Sequence, residues 1–175
     1  MKRKTIEGLL DINPWIRAYG PDASEKYFTV EKYNKGKRNE ILTGKWLIFA
    51  SVPYFKEVWD VVKESTEEGL LGPSSKIANP DSHSSLVCCV YTKDYRDLED
   101  VMRVRGKLFE LGFKHSIVYK RDIDTLDGIY GSGASYYDND GNRVVPGLKE
   151  LINKGYTLKG VKDGKAVFVK TKAGD

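Results

Sequence analysis

The sequence predicts an α+β domain, a mostly antiparallel sheet with helices on one face. Two segments repeat apolar residues at helical spacing, one short run is apolar on both sides, and the helical segments stand singly among hairpin signals. At 175 residues the chain can bury one core, and no Pro/Gly/Ser-rich linker divides it. The reading is therefore a single domain over 1–175, with an irregular N-terminal arm (1–40) packed on a sheet-and-helix core (41–175).

The arm holds Pro14, Gly20, Pro21 and the polar run KYNKGKRNE, yet it also holds Trp15, Tyr19, Tyr27, Phe28 and Tyr33. So many aromatics belong against a core and not in a solvated tail. KWLIFA (45–50) is a near-continuous apolar strand. SVPYFKEVWDVVKESTEEG (51–69) is a helix, with Pro53 in its first turn, Phe55, Val58, Trp59, Val62 and Thr66 on one face, and Gly69 closing it. SSKIAN (74–79) is a short strand. LVCCVYT (86–92), apolar on both faces, is a central strand covered on each side.

A second helix runs from Asp97 to about Leu111, turning Leu98, Val101, Val104, Leu108 and Leu111 inward before Gly112. The same face should cover the sheet beside Trp59 and Val62. HSIVYK (115–120) is a further strand, ASYYDNDGNRVV (134–145) a hairpin around Asp140-Gly141, PGLKELINKG a short helix, and YTLKGVKDGKAVFVK a hairpin turning at Asp163-Gly164.

Composition narrows the function classes. Charged residues are 31% and hydrophobic residues 40%, the balance of a globular protein with a charged surface. No apolar run approaches the ~20 residues of a membrane span, and MKRKTIEGLLDINPW lacks the apolar segment of a secretory signal. The expectation is a cytoplasmic protein without membrane contact. Cys88 and Cys89 are adjacent in a strand, so they point to opposite faces and stay reduced. With His83 and His115 they do not make metal-ligand spacing, and neither metal nor cofactor is expected. A net charge of +4 permits anionic partners without demanding them.

The segment YKRDIDTLDGIYGSG (119–133) sets a basic pair, aspartates, a threonine and a tyrosine before three glycines. Lys120 ends a strand directly before Asp122 and Thr125, and Lys76 stands beside Ser74 and Ser75 on another strand of the same sheet. A strand-end lysine can lay its stem on apolar surface and present its ammonium to phosphate. The bland reading is a solvated lysine, with Asp122 and Thr125 merely holding a turn. Asp122 and Asp124 alternate around Ile123, so one should turn into the site and the other to water. Tyr130, and Trp46 if its side of KWLIFA is the concave one, are the candidates to stand against a base. Tyr136 and Tyr137 stack a base or cover the sheet edge. Arg103, Lys107 and Glu99 read as a solvated helix face, with Arg105 a secondary candidate nearer the apolar side.

GKWLIF, the W-x9-GLLG-x3-K pattern from Trp59 to Lys76, VCCVYTKDYRDLEDVMRV and YKRDIDTLDGIYG together resemble the Bles-type family, named for a basophilic-leukaemia-expressed protein, over roughly residues 45–131. The resemblance implies a curved antiparallel sheet backed by two or three helices, like that of the eukaryotic cap-binding initiation factor. It does not import cap binding, because function resides in the site and not in the scaffold. A two-tryptophan clamp is not expected, since Trp59 faces inward and Trp15 alone lies in a segment free to present itself.

Two function classes follow. In the first, the concave face binds a nucleotide, an RNA end or another phosphorylated ligand, with Lys76 and Lys120 on phosphate. In the second, suggested by a likeness drawn between Bles-type proteins and phosphothreonine lyases, phosphate leaves by β-elimination, with Lys120 or Lys76 as base and His83 or His115 as acid. Binding is the preferred expectation.

Overall fold

The computed structural model describes residues 15–23, 41–80, 86–130, 135–144, 155–162 and 165–170. Strands β1 (Trp15–Tyr19), β2 (Gly44–Ala50), β3 (Ser74–Ala78), β4 (Leu86–Thr92) and β5 (Val118–Arg121) form an open sheet in the order β1-β3-β4-β2-β5, each neighbouring pair antiparallel. A 3-10 turn (Val52–Tyr54) leads into helix α1 (Phe55–Glu67); α2 (Leu98–Glu110) and the five-residue α3 (Asp122–Leu126) complete the helices among the described residues. β6 (Tyr156–Lys162) and β7 (Lys165–Lys170) pair with each other in a second, two-stranded sheet. The fold is α+β.

Connectivity explains why one face of the sheet stays open. β2 and β3 run parallel with β4 between them, and β4 and β5 run parallel with β2 between them. These are two split β-α-β units, the first crossing over through α1 and the second through α2. Their crossovers start from oppositely directed strands and move in opposite directions across the sheet. A half-turn about an axis normal to the sheet therefore relates them, and a common handedness places both helices on one face.

On that face Trp59 and Val62 of α1 and Val101, Val104 and Leu108 of α2 are buried with Trp46, Ile48, Ile77, Cys88, Val90 and Tyr119 of the sheet. The two helical stripes and the central position of β4 are as the periodicity predicts. Leu98 departs from it, being 40% exposed. It sits in the first turn of α2, where it and Met102 border the turn at Gly141 instead of the sheet. Arg103 is exposed, as a solvated helix face predicts, and its guanidinium also donates to the carbonyls of Leu70 and Leu71 at 3.0 Å each, pinning α2 to the loop after α1. That loop carries a close approach at Gly72, where a Cβ would lie 1.6 Å from the Tyr91 carbonyl oxygen. The GLLG pattern therefore reflects packing of the loop on β4.

Three further expectations need correction. The arm contains an edge strand, β1, which pairs Trp15–Tyr19 with Ser74–Ala78 and adds Ala18 to the core. Only Ala18 is buried while Ile16 stays exposed, too short an apolar alternation to announce a strand. β5 begins at Val118 instead of His115, because side chains take the preceding backbone groups. Asn139 accepts from the Ile117 N–H and donates to its carbonyl, and Arg105 donates to the carbonyls of Phe113 and His115. Arg105 is thus a buried brace between α2, this segment and Asn139. Lastly, 122–126 is a helical turn, closed by Gly128 at φ +70°, where the N–H groups of Gly128 and Ile129 reach back to the carbonyls of Thr125 and Asp124. That glycine caps the helix.

The hairpin around Asp140-Gly141 forms as an irregular pair, with Tyr137 bridging both Arg143 and Tyr119. Tyr137 thus covers the β5 edge, and Tyr136 packs between the guanidinium groups of Arg121 and Arg143 at 4.3 and 3.2 Å. His83, Gly131, Gly133, nearly all of the predicted helix at 146–155, the Asp163-Gly164 turn and the arm residues Tyr27, Phe28 and Tyr33 lie outside the described residues. No helix among the described residues is long and apolar enough to cross a membrane.

Candidate functional site

Strand alternation decides what the open face presents. Lys45, Leu47 and Phe49 of β2 point away from the helices, and the registers Lys45↔Tyr91, Leu47↔Cys89 and Phe49↔Val87 continue that face across β4. Lys76 joins it opposite Cys89, Arg17 opposite Lys76, and Lys120 opposite Lys45. These side chains enclose a hollow of about 250 Å³ whose floor is Leu47, Val87 and Cys89. Lys45, Lys76 and Lys120 supply its cationic groups, while Trp15, Phe49 and Tyr130 stand around it.

Of the predicted site residues, Lys76, Lys120, Thr125 and Tyr130 line this hollow together. Trp46 does not. It is fully buried on the opposite, helix-bearing side, where its Nε1–H donates to the Val101 carbonyl at 3.0 Å and its ring meets Tyr119 edge-on. The alternation that puts Lys45 on the open face forces Trp46 off it. The tryptophan at the hollow is Trp15, delivered by the edge strand, and with Trp46 and Trp59 both in the core the described residues hold no paired-tryptophan clamp.

Asp122 acts through a lysine that the sequence reading did not single out. Its carboxylate, wholly buried, accepts from the Lys45 ammonium and from the Thr43 hydroxyl at 2.6 Å, and its N–H donates to the Thr43 carbonyl at 2.9 Å. Lys45 also donates to the Thr125 hydroxyl at 3.3 Å. Two side chains of α3, Asp122 and Thr125, therefore hold Lys45. Asp124 does not face water either: it is buried and takes a bidentate pair from Arg121 at 2.9 and 2.6 Å. The signal for Lys45 was present in the sequence as a single charge at the start of an apolar strand, in phase with Leu47 and Phe49.

Lys76 and Lys120 differ from Lys45. Neither has a carboxylate partner among the described residues; the Lys76 ammonium lies 3.8 Å from the centre of the Trp15 ring and the Lys120 ammonium 3.8 Å from that of Tyr130. Burial pushes both below the ordinary lysine value, and repulsion from Lys45 adds to it for each. An aromatic face is a weak counter-charge compared with a carboxylate. An anion entering the hollow would therefore be better received than the rings are. Cys89, by contrast, is held as the neutral thiol because burial pushes its pKa up. His115 is exposed and does not line the hollow. No metal-binding group of three His, Cys, Asp or Glu occurs among the described residues.

A family model described as basophilic leukemia-expressed protein Bles03 matches residues 12–126. The match starts just before β1 and ends with the last residue of α3. It spans the whole five-stranded sheet together with Lys45, Lys76, Lys120, Asp122 and Thr125, and stops short of Tyr130. With well over half its length inside that match, the chain belongs to the Bles03 family of basophilic leukemia-expressed proteins.

Proposed function

We propose that the open face of the sheet binds a phosphorylated ligand, a nucleotide, an RNA end or a similar molecule, in the cytoplasm. The observation that supports this is a pair of lysine ammonium groups without carboxylate partners among the described residues, lining one hollow over an apolar floor. Burying such charge is costly when nothing answers it, and a bound phosphate answers it. Leu47, Val87 and the rings of Trp15 and Tyr130 offer contact to a base or other flat group. The test is a thermal-shift screen with nucleotides, short capped and uncapped RNA and phosphopeptides, run on the protein and on Lys120→Met. Stabilisation by at least one phosphorylated compound, abolished in the variant, is expected. A flat response to the whole panel overturns the proposal.

A lyase reading draws on one feature, the depressed lysine pKa values, which bring Lys76 or Lys120 nearer to a general base. Its acid would have to be His83, since His115 lies outside the hollow. Phosphate release from a phosphothreonine peptide, measured in the same screen, separates it from simple binding.

A further inference from the structure

Resting on the anion-binding reading, we infer that the ligand carries two separated anionic groups, one at each end of the hollow, and not a single compact anion. The basis is the distribution of charge across the sheet. Lys120 on β5 pairs with Lys45 on β2, Lys45 with Tyr91 on β4, and β4 with β3, which carries Lys76 two positions beyond Ser74. Lys76 and Lys120 are therefore three strands apart, about 14 Å across the sheet and offset by about 7 Å along it.

The Lys76 ammonium lies 3.8 Å from the centre of the Trp15 ring on β1, the strand on the far side of β3 from Lys120, and 5.9 Å from that of Tyr91 on β4, while the Lys120 ammonium rests on Tyr130 after α3. Between them stands Lys45, whose charge is answered by the buried carboxylate of Asp122. Along its length the hollow thus reads positive, near neutral, positive. Its floor in between is apolar, Leu47 and Cys89, and the Thr125 hydroxyl accepts from the Lys45 ammonium beside it. A ligand that matches this pattern is a molecule with a phosphate at either end of an uncharged body; Arg17, opposite Lys76 on β1, extends the positive end at that rim.

The discriminating probes are alkane bisphosphonates of equal charge and increasing spacer. Calorimetric titration of the whole protein with methylene, hexane and decane bisphosphonate should give an affinity that rises with spacer, hexane or decane binding about tenfold or more tighter than methylene, as linked binding at two sites requires. Lys76→Met and Lys120→Met should each remove the spacer dependence, the hexane and decane compounds losing about tenfold or more in affinity. Circular dichroism on each variant guards against misfolding, and Lys76→Arg, which keeps the charge, should retain the dependence. If methylene bisphosphonate binds as tightly as the longer compounds, the two lysines hold one compact anion and this inference fails while anion binding stands. If none of the bisphosphonates, nor inorganic phosphate, binds at all, the anion-binding reading fails with it.

Discussion

Lys45 and Asp122 lie 77 residues apart in the chain and form an ion pair in which the lysine side chain is 10% exposed and the aspartate not at all. The pair ties the interior strand β2 to the turn that follows edge strand β5. Removing one member leaves the other charged and buried, a loss of about 3–5 kcal/mol for Asp122→Ala. The double change Lys45→Met with Asp122→Leu should recover most of that, because it removes the uncompensated charge as well. Urea unfolding measures both. A loss below about 1 kcal/mol for Asp122→Ala is the figure for a solvated pair and would contradict the burial.

Gly72→Ala should be among the most damaging single changes in the fold. The added Cβ would lie 1.6 Å from the Tyr91 carbonyl oxygen, which is backbone and cannot rotate away. Either the loop lifts from β4, losing the Arg103 bonds to Leu70 and Leu71, or the central strand shifts. Overpacking typically costs about 1–3 kcal/mol, and a clash this close against fixed backbone belongs at the upper end. Gly106→Ala is the control, since its Cβ would meet nothing within 4 Å. Thermal melts of the two variants should differ sharply, with Gly106→Ala unchanged or slightly stabilised by helix propensity.

The sequence made the core of this fold legible where periodicity was long. The stripe of Phe55, Val58, Trp59, Val62 and Thr66 and that of Leu98, Val101, Val104, Leu108 and Leu111 each extend over about three turns, and the run from Leu86 to Thr92 has no polar face to hide. Short elements were not legible. Asp-Ile-Asp-Thr-Leu has one turn and no period, so its polar residues read as a loop although Asp122 and Asp124 are both buried. β1 offers one buried residue, Ala18, behind a proline. Lys76, Lys120, Thr125 and Tyr130, which line the hollow, are each conspicuous locally, whereas Lys45 takes its carboxylate partner from a distant element. Trp46 was misassigned because an aromatic in a strand fits either face until the partners of that strand are known.

Fluorescence separates the tryptophans. Trp46 and Trp59 are buried among the helices, while Trp15 is half-buried at the hollow with the Lys76 ammonium on its ring. A ligand that draws Lys76 off the ring changes the surroundings of Trp15 alone. Titration with a phosphorylated ligand should alter the emission of the protein, of Trp46→Phe and of Trp59→Phe, and should leave that of Trp15→Phe unchanged. A response that survives in Trp15→Phe and disappears in Trp46→Phe would place the ligand on the wrong side of the sheet for the proposed site.

Lys76 also gives the stability a sign with pH. Burial, with repulsion from Lys45 and Arg17, lowers its pKa in the folded protein below 10.5, the value it has when solvated. Between the lowered value and 10.5 the unfolded chain holds a proton that the folded chain has lost, so this group makes stability rise with pH across that window. Below the window both states are protonated and the cost of burying the charge is present in full. Lys76→Met removes that cost, so the variant should be more stable than the wild type near neutral pH, and its advantage should shrink as pH climbs towards 10.5. Binding a phosphate reverses the balance, because the ammonium then has a counter-charge. With saturating ligand the wild type should overtake Lys76→Met near neutral pH and lose that lead at alkaline pH as the lysine deprotonates. Guanidinium unfolding of both proteins over this pH range, with and without ligand, reads all four curves. Parallel curves without ligand would mean that Lys76 keeps its ordinary pKa, and curves that do not cross on adding ligand would mean that its charge plays no part in holding it.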